Sequence, residues 1–405
     1  MGRKVCVKGN YDMSEKQKKK LLVTASTFPR WEGDTEPRFV LDLSSHMTDE
    51  FDVTVLVPAA PGAKKQEILN GVKVIRYHYF PIHKWETLCY PGAIVPRIKE
   101  KKIRALLVPF LFLSLYFHLW KLLPDYDIVH AHWLIPQGIV QSFFKKPYVV
   151  TGHGGDVASL NKGIIRKLKI RCLKRAEHVT VVSEHLKKKV QELVPEVQPS
   201  VISMGVNVSQ FGRQYRVENY FGQGDKKVVL FVGRLVEIKG VFYLIEAMKA
   251  IDAILVIVGD GPLRNELEKQ AFSIQEKVLF LGAKTHKELK VIYASADIFV
   301  APSITINSGE QEGLGLTALE AMASGLAVIA SNSGGIPAII HDRKNGLLCK
   351  EKNSKELAES IRKLIDDEEF YDRITHNALE VISQYDYSVL SQKFLKILGN
   401  ILADR

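Results

Sequence analysis

The chain has 405 residues, 46% of them hydrophobic and 25% charged, with a formal net charge of +11. That is an ordinary soluble globular composition, long enough for two or three domains. Four scattered cysteines, Cys6, Cys89, Cys172 and Cys349, exclude a disulfide framework and a close-spaced zinc site, and make a reducing cytoplasm the expected compartment.

Residues 1–20 are polar and lysine-rich rather than apolar, so they read as a poorly ordered extension and not as a secretory signal. From there short β-branched runs alternate with amphipathic helical stretches, the pattern of parallel α/β sheets. In the first half the expected strands are 21–25, 53–57, 72–78, 127–131, 148–151 and 179–182. In the second half they are 228–232, 255–258, 278–281, 298–300 and 327–330. Between the halves, 205–227 is polar and glycine-dotted. The expectation is α/β: two Rossmann-like doubly wound domains facing across a cleft, with ligands at the carboxyl ends of the strands. The boundaries are 21–205 and 206–370, followed by C-terminal helices over 371–405.

The charge is uneven. Residues 1–205 carry 32 Lys and Arg against 19 Asp and Glu, a net of +13, whereas 206–405 carry 24 against 26, a net of −2. Such asymmetry is a partner signal. The basic residues gather as Arg97, Lys99, Lys101, Lys102 and Arg104, and again as Lys162, Arg166, Lys167, Lys169, Arg171, Lys174 and Arg175. After the first group, Ile103–Leu123 is nearly continuous apolar sequence. A spanning helix needs roughly 20 apolar residues, and Arg104, Pro109, His118 and Lys121 interrupt this one. It reads either as a buried domain helix or as a helix whose outer face dips into a membrane interface.

Asp125-Tyr126-Asp127 has the look of a metal-binding D-x-D but lies at the start of a strand, away from the ligand end. His130 and His132 share one strand face and, with no third ligand in view, read as cleft lining or core. Thr151-Gly152-His153-Gly154-Gly155-Asp156 follows a strand, with glycines freeing His153 to project into the cleft.

In the second half, Gly233-Arg234 and Lys239-Gly240 follow one strand and Gly259-Asp260-Gly261-Pro262 the next. Glu312 and Glu320 bracket the glycine-rich start of a helix expected over 314–324. Bare N–H groups and the positive end of that helix make an anion site, and the flanking carboxylates can accept hydrogen bonds from hydroxyls. The layout suits a diphosphate with polyol rings at both ends, that is, a nucleotide-sugar.

These residues resemble the nucleotide-sugar domain of the family 4 retaining glycosyltransferases. Its mark, E-x7-E, is here Glu312 to Glu320, and the match takes in Gly334-Gly335. The resemblance implies the GT-B fold, with the last helices crossing back to the first domain. It implies that Arg234 and Lys239 contact the diphosphate, Glu312 the donor sugar and Glu320 the ribose. The amides of Gly313, Leu314, Gly315 and Leu316 complete the cradle, and Gly33 allows close approach near the phosphates. His153 stands beside the reacting carbon and Asp156 on the acceptor side, and no metal or cofactor is expected. The implied catalytic set is His153, Arg234, Lys239 and Glu312. The implied reaction moves a hexose from a UDP- or GDP-linked donor to a glycan or lipid-linked acceptor in cell-surface polysaccharide synthesis. The protein would be cytoplasmic, with possible inner-leaflet contact through its basic first domain.

The chain departs from the family at Asn207 and Ala338 and has Trp31-Glu32-Gly33-Asp34 in place of a double glycine. Rival readings are a nucleotide-sugar epimerase, which would want further acid–base groups, and a non-catalytic nucleotide-sugar-binding protein. The second would lack one of Arg234, Lys239, Glu312 or Glu320, and all four are present. Nucleic-acid binding has no motif to support it.

Overall fold

The computed structural model describes residues 18–92, 94–307, 311–313 and 315–405. Its first sheet contains β1 (Lys19–Thr24), β2 (Phe51–Pro58), β3 (Gln66–Leu69), β4 (Val72–Tyr77), β5 (Ile128–His132), β6 (Tyr148–Gly152), β7 (His178–Val181) and β8 (Ser200–Val201). The second contains β9 (Val228–Val232), β10 (Ile254–Val258), β11 (Val278–Gly282), β12 (Ile298–Ala301), β13 (Ala327–Ser331) and β14 (Leu347–Cys349). The strand orders are β3-β4-β2-β1-β5-β6-β7-β8 and β11-β10-β9-β12-β13-β14. Every pair is parallel except β3–β4. Both faces of such sheets must be covered, which is why the strands read as unbroken Val, Ile and Leu runs.

The order reverses at β1/β5 in one sheet and at β9/β12 in the other. Loops leaving neighbouring strand ends diverge there and open a crevice. The loops after β9 and β12 are those that carry Arg234, Lys239 and Glu312.

Most of the segment expected to be poorly ordered lies outside the described residues, but its last residues belong to the fold. Lys19 begins β1, and the Lys20 N–H donates to the Asp127 carboxylate at 2.7 Å. Asp127 therefore tethers a strand start, at the end of the sheet opposite the ligand crevice. Strand β3 escapes an alternation reading because it is polar and short. Asn70-Gly71, both at positive φ (47° and 79°), form the two-residue turn that pairs Leu69 with Val72.

The return to the first domain begins later than residue 371. Helix Glu368–Ile382 still puts Phe370 and Ile374 in the second-domain core. The last helix, Tyr387–Ala403, crosses. Its Tyr387, Leu390, Phe394 and Leu398 pack with Leu21, Val23, Val53 and Ile128 of β1, β2 and β5. Backbone bonds between Val206 and Tyr385–Tyr387 tie that crossing to the interdomain linker, with Val206 N–H donating to Tyr385 O at 3.0 Å.

The fully buried Phe394 ring also lies 4.9 Å from His130, centroid to centroid. Replacing Phe394 by Ala should therefore cost about 3–5 kcal/mol of folding stability, read from the urea midpoint. A loss below about 1 kcal/mol would mean that the helix is not docked there.

Candidate active site

Close crossings of backbone build the second-domain side. Gly240 adopts φ +62°, and a Cβ there would fall on the Pro302 carbonyl, so the loop after β9 lies directly on the loop after β12. The Ile304 N–H donates to Ile238 O at 2.8 Å across the same crossing. Gly259 and Gly261 press likewise on Gly233 and Leu235, which gives the Gly259–Pro262 turn a packing role. Gly334 has no room for a Cβ because the Glu312 carbonyl occupies it, and the Gly335 N–H donates to that carbonyl at 3.2 Å. The paired glycines thus hold the backbone of Glu312.

The helix itself runs Leu316–Ala323, starting two residues later than the sequence suggests, because Gly315 sits at its N-cap in the left-handed conformation (φ +79°). The Ala318 N–H folds back on Gly315 O at 2.8 Å. The amides of Leu316 and Thr317 precede that bond and belong to the unsatisfied first turn. Leu314 lies outside the described residues.

Lys239 and Glu312 form an ion pair across this crevice, and Ser303 Oγ donates to the same carboxylate oxygen at 3.3 Å. Burial alone would raise the Glu312 carboxyl. The Lys239 ammonium, Ser303 and the Gly313 amide outweigh burial and hold it below its ordinary value. Glu312 is therefore an anion around neutral pH.

Glu320, two turns further along the helix, differs. Burial pushes its carboxyl up to about 7. The Tyr293 hydroxyl, donating at 2.8 Å, opposes the shift, and the Asp42 charge from the first domain adds to it. Ser303 and Tyr293 were absent from the sequence reading. Ser303 stands at a strand's carboxyl end, which is a usable signal, whereas Tyr293 in mid-helix carries none.

On the first-domain side, Asp156 spends both carboxylate oxygens on backbone. It accepts from the His153 and Gly154 amides at 3.1 and 2.8 Å and from Leu134 at 2.8 Å. It thereby fixes the turn that carries His153, a positioning role rather than a contact facing an acceptor. Lys169, one member of the second basic cluster in the sequence, is fully buried. Its ammonium ties Val157 O (2.8 Å), Ser159 O (2.9 Å) and Asn161 behind that turn.

His153 Nε2 meets His132 Nδ1 at 3.0 Å, and its ring rests on Trp133 and Phe39 at 4.8 and 5.2 Å. Burial, reinforced by neighbouring His130, pushes the His153 imidazole down to about 3, so it is neutral. His130 is bonded to Thr151 at 2.7 Å and is buried, as is His132. Gly33 is left-handed (φ +82°) with open space around its Cβ position, so it serves the turn in which Asp34 clasps Arg30 at 2.7 and 3.0 Å.

The two sides meet. A Cβ on Gly313 would stand 3.5 Å from the His153 carbonyl oxygen, bringing the Glu312 loop against the His153 turn. Arg234 does not join Lys239 at Glu312. Its guanidinium reaches the first domain, 3.6 Å from the Cβ position of Gly92, where its charge acts on Glu36. The His286 ring lies near the Glu36 backbone at the same seam. Residues of the two domains thus share one crevice. Among the described residues no group of three or more His, Cys, Asp or Glu is placed to hold a metal ion.

Comparison with known proteins agrees with this geometry. Residues 217–381 match the model for glycosyl transferases group 1, and residues 37–210 match that for glycosyltransferase family 4. An uncharacterized glycosyltransferase of Methanocaldococcus jannaschii is 31% identical over 297 residues, which is 67% of this chain and 75% of that protein. The N,N'-diacetylbacillosaminyl-diphospho-undecaprenol alpha-1,3-N-acetylgalactosaminyltransferase of Campylobacter jejuni is 30% identical over 324 residues, 74% of this chain and 84% of that one.

The chain belongs to the group 1 glycosyltransferases. This glycosyltransferase also superposes on Anabaena HepE, solved in complex with UDP and glucose, with a TM-score of 0.71 at 20% identity, covering 94% of this chain and 100% of that one. That likeness establishes the GT-B fold. Relatives in the family act in polysaccharide and glycolipid synthesis.

The Glu320 carboxyl sets a pH dependence. Its folded-state value of about 7 exceeds its ordinary 4.5, so the stability it contributes is complete below 4.5 and is lost as pH rises through about 7. A ligand hydroxyl that donates to the carboxylate favours the ionised form. Nucleoside diphosphate affinity should therefore strengthen about tenfold between pH 6 and pH 8. Calorimetric titration of Glu320→Gln should show that slope flattened, and an unchanged slope would remove Glu320 from the site.

Proposed function

We propose that this glycosyltransferase is a retaining enzyme that moves a hexose from a UDP- or GDP-linked donor to a glycan or lipid-linked acceptor in cell-surface polysaccharide assembly. The observation that carries the reading is the Lys239–Glu312 pair at the open N-terminus of helix Leu316–Ala323. Without ligand the two charges satisfy one another. A donor diphosphate offers Lys239 a stronger partner and frees Glu312, already ionised, to accept hydrogen bonds from sugar hydroxyls.

The diphosphate would then lie against the Leu316 and Thr317 amides, where helix dipole and N–H groups favour an anion. Arg234 adds a second cation from the cleft side. Glu320 is placed two turns away for the ribose, at the far end of the same ligand. This set neutralises the leaving group as the bond to the sugar breaks, so the reaction calls for no metal ion.

The resemblance to the family 4 retaining enzymes implies front-face displacement, and we assign that path here. The bond between the anomeric carbon and the phosphate oxygen breaks, the acceptor oxygen bonds to the same face, and the departing phosphate oxygen takes the acceptor proton. His153, neutral and far below neutrality in basicity, orients by hydrogen bonding and does not abstract that proton. The Campylobacter relative's name specifies a diphospho-undecaprenol acceptor, which supports a lipid-linked acceptor here.

Release of nucleoside diphosphate from a panel of UDP- and GDP-sugars with lipid-linked glycan acceptors tests the reading. Turnover should survive EDTA, give a product with the donor's anomeric configuration, and fall about 10²-fold or more in Lys239→Ala. Metal-dependent turnover, an inverted product or an undiminished Lys239→Ala rate would each contradict it.

A further inference from the structure

We propose that the first domain docks on an anionic lipid bilayer through the outer face of helix Val108–Leu122 and the turn before it. This rests on the reading of the acceptor as lipid-linked only for its purpose, because the surface itself is argued from geometry. Ile103, Leu106, Phe110, Leu113, Phe117 and Trp120 lie three or four residues apart, and all are exposed, from 42% for Phe110 to 72% for Ile103. At that spacing they form one stripe. The opposite face, Leu111, Leu115 and Leu119, is fully buried in the domain core.

The segment Lys102–Asp125 is long and apolar enough to span a membrane. Inserting it would empty that core of three leucines, at a cost of several cavities. The helix stays with its domain and presents one apolar side, as a helix lying in an interface does.

The stripe continues beyond the helix. Phe80 joins Phe110 at 4.9 Å and Trp85 at 5.8 Å, extending it along one edge. Tyr116 stacks on Phe144 at 4.9 Å, and adjoining Phe143, 49% exposed, lies under Arg171 at 4.8 Å. Exposed cations sit beside these anchors: Lys84 at Trp85, Lys102 at Ile103, Lys121 at Trp120, Lys145 at Phe144 and Arg171 at Phe143.

Apolar anchors with exposed ammonium groups at adjacent sequence positions, and the Arg171 guanidinium against Phe143, complement a bilayer with anionic headgroups. A second copy of the chain fits less well, because a two-fold contact through this face would set the same cations against one another. The face also connects with the cleft. Ser114 Oγ donates to His78 O at 2.7 Å, and the loop from His78 leads to Gly92 beneath Arg234. A lipid-linked acceptor lying in the bilayer surface would enter the cleft along this edge.

The test is sedimentation of full-length protein with vesicles of phosphatidylcholine alone and with about a third phosphatidylglycerol. Leu113→Glu/Phe117→Glu and Lys102→Glu/Lys121→Glu variants would be run beside it. Binding should require phosphatidylglycerol, weaken with salt, and fall about tenfold or more in each double variant. Nucleoside diphosphate affinity should stay unchanged, which shows that the variants fold. Absence of vesicle binding at low salt, binding indifferent to both variants, or a dimer abolished by Leu113→Glu/Phe117→Glu would each overturn the proposal. The readout needs no turnover, so a failure of docking and a failure of the proposed reaction are distinguishable.

Discussion

The Lys239–Glu312 pair organises the second domain's active face. Opposite charges in a half-buried crevice attract strongly, but they are stable only while both keep hydrogen-bond partners. Ser303 and the Gly313 amide supply those for Glu312. The backbone beneath must then hold Glu312 in place, and Gly334, which leaves room for the Glu312 carbonyl, does so. Gly240 performs the matching service for Lys239 by letting its loop lie on Pro302. The glycines of this face are thus consequences of one electrostatic arrangement, and the strand order at β9/β12 gives it a crevice to occupy.

The first domain answers with a different kind of rigidity. Its His153 turn is held by a buried carboxylate, Asp156, on one side and a buried ammonium, Lys169, on the other. Each is satisfied by backbone groups or a local amide. Burial there keeps the histidines neutral, so this side contributes shape and hydrogen bonds while the second domain contributes charge. The last helix fastens the two domains at the linker, where Val206 exchanges backbone hydrogen bonds with Tyr385 and Tyr387.

Much of this was legible in the chain. Buried parallel strands read as β-branched runs, and the order of Gly-Arg, Lys-Gly and paired Glu residues marked the ligand end of the second sheet. What stayed hidden was set by tertiary distance or by polarity. Strand β3 is short and polar, and only Asn70-Gly71 betrays it. The helix after Glu312 begins late because Gly315 is left-handed, a backbone fact that composition does not carry. Lys169 reads as one cation among seven, and its burial depends on carbonyls eight to twelve residues away. Arg234 and Lys239, five residues apart, both read as diphosphate contacts; their separation shows only in the structure, where Arg234 lies against Gly92 of the first domain and Lys239 pairs with Glu312.

The most direct measurement is a structure of the protein with an intact, non-reacting nucleotide-sugar analogue. Lys239 should leave Glu312 for a phosphate oxygen, and the Glu312 carboxylate should take hydrogen bonds from the sugar hydroxyls. The diphosphate should lie against the Leu316 and Thr317 amides. A bound analogue with Lys239 still paired to Glu312 and the diphosphate held elsewhere would contradict it.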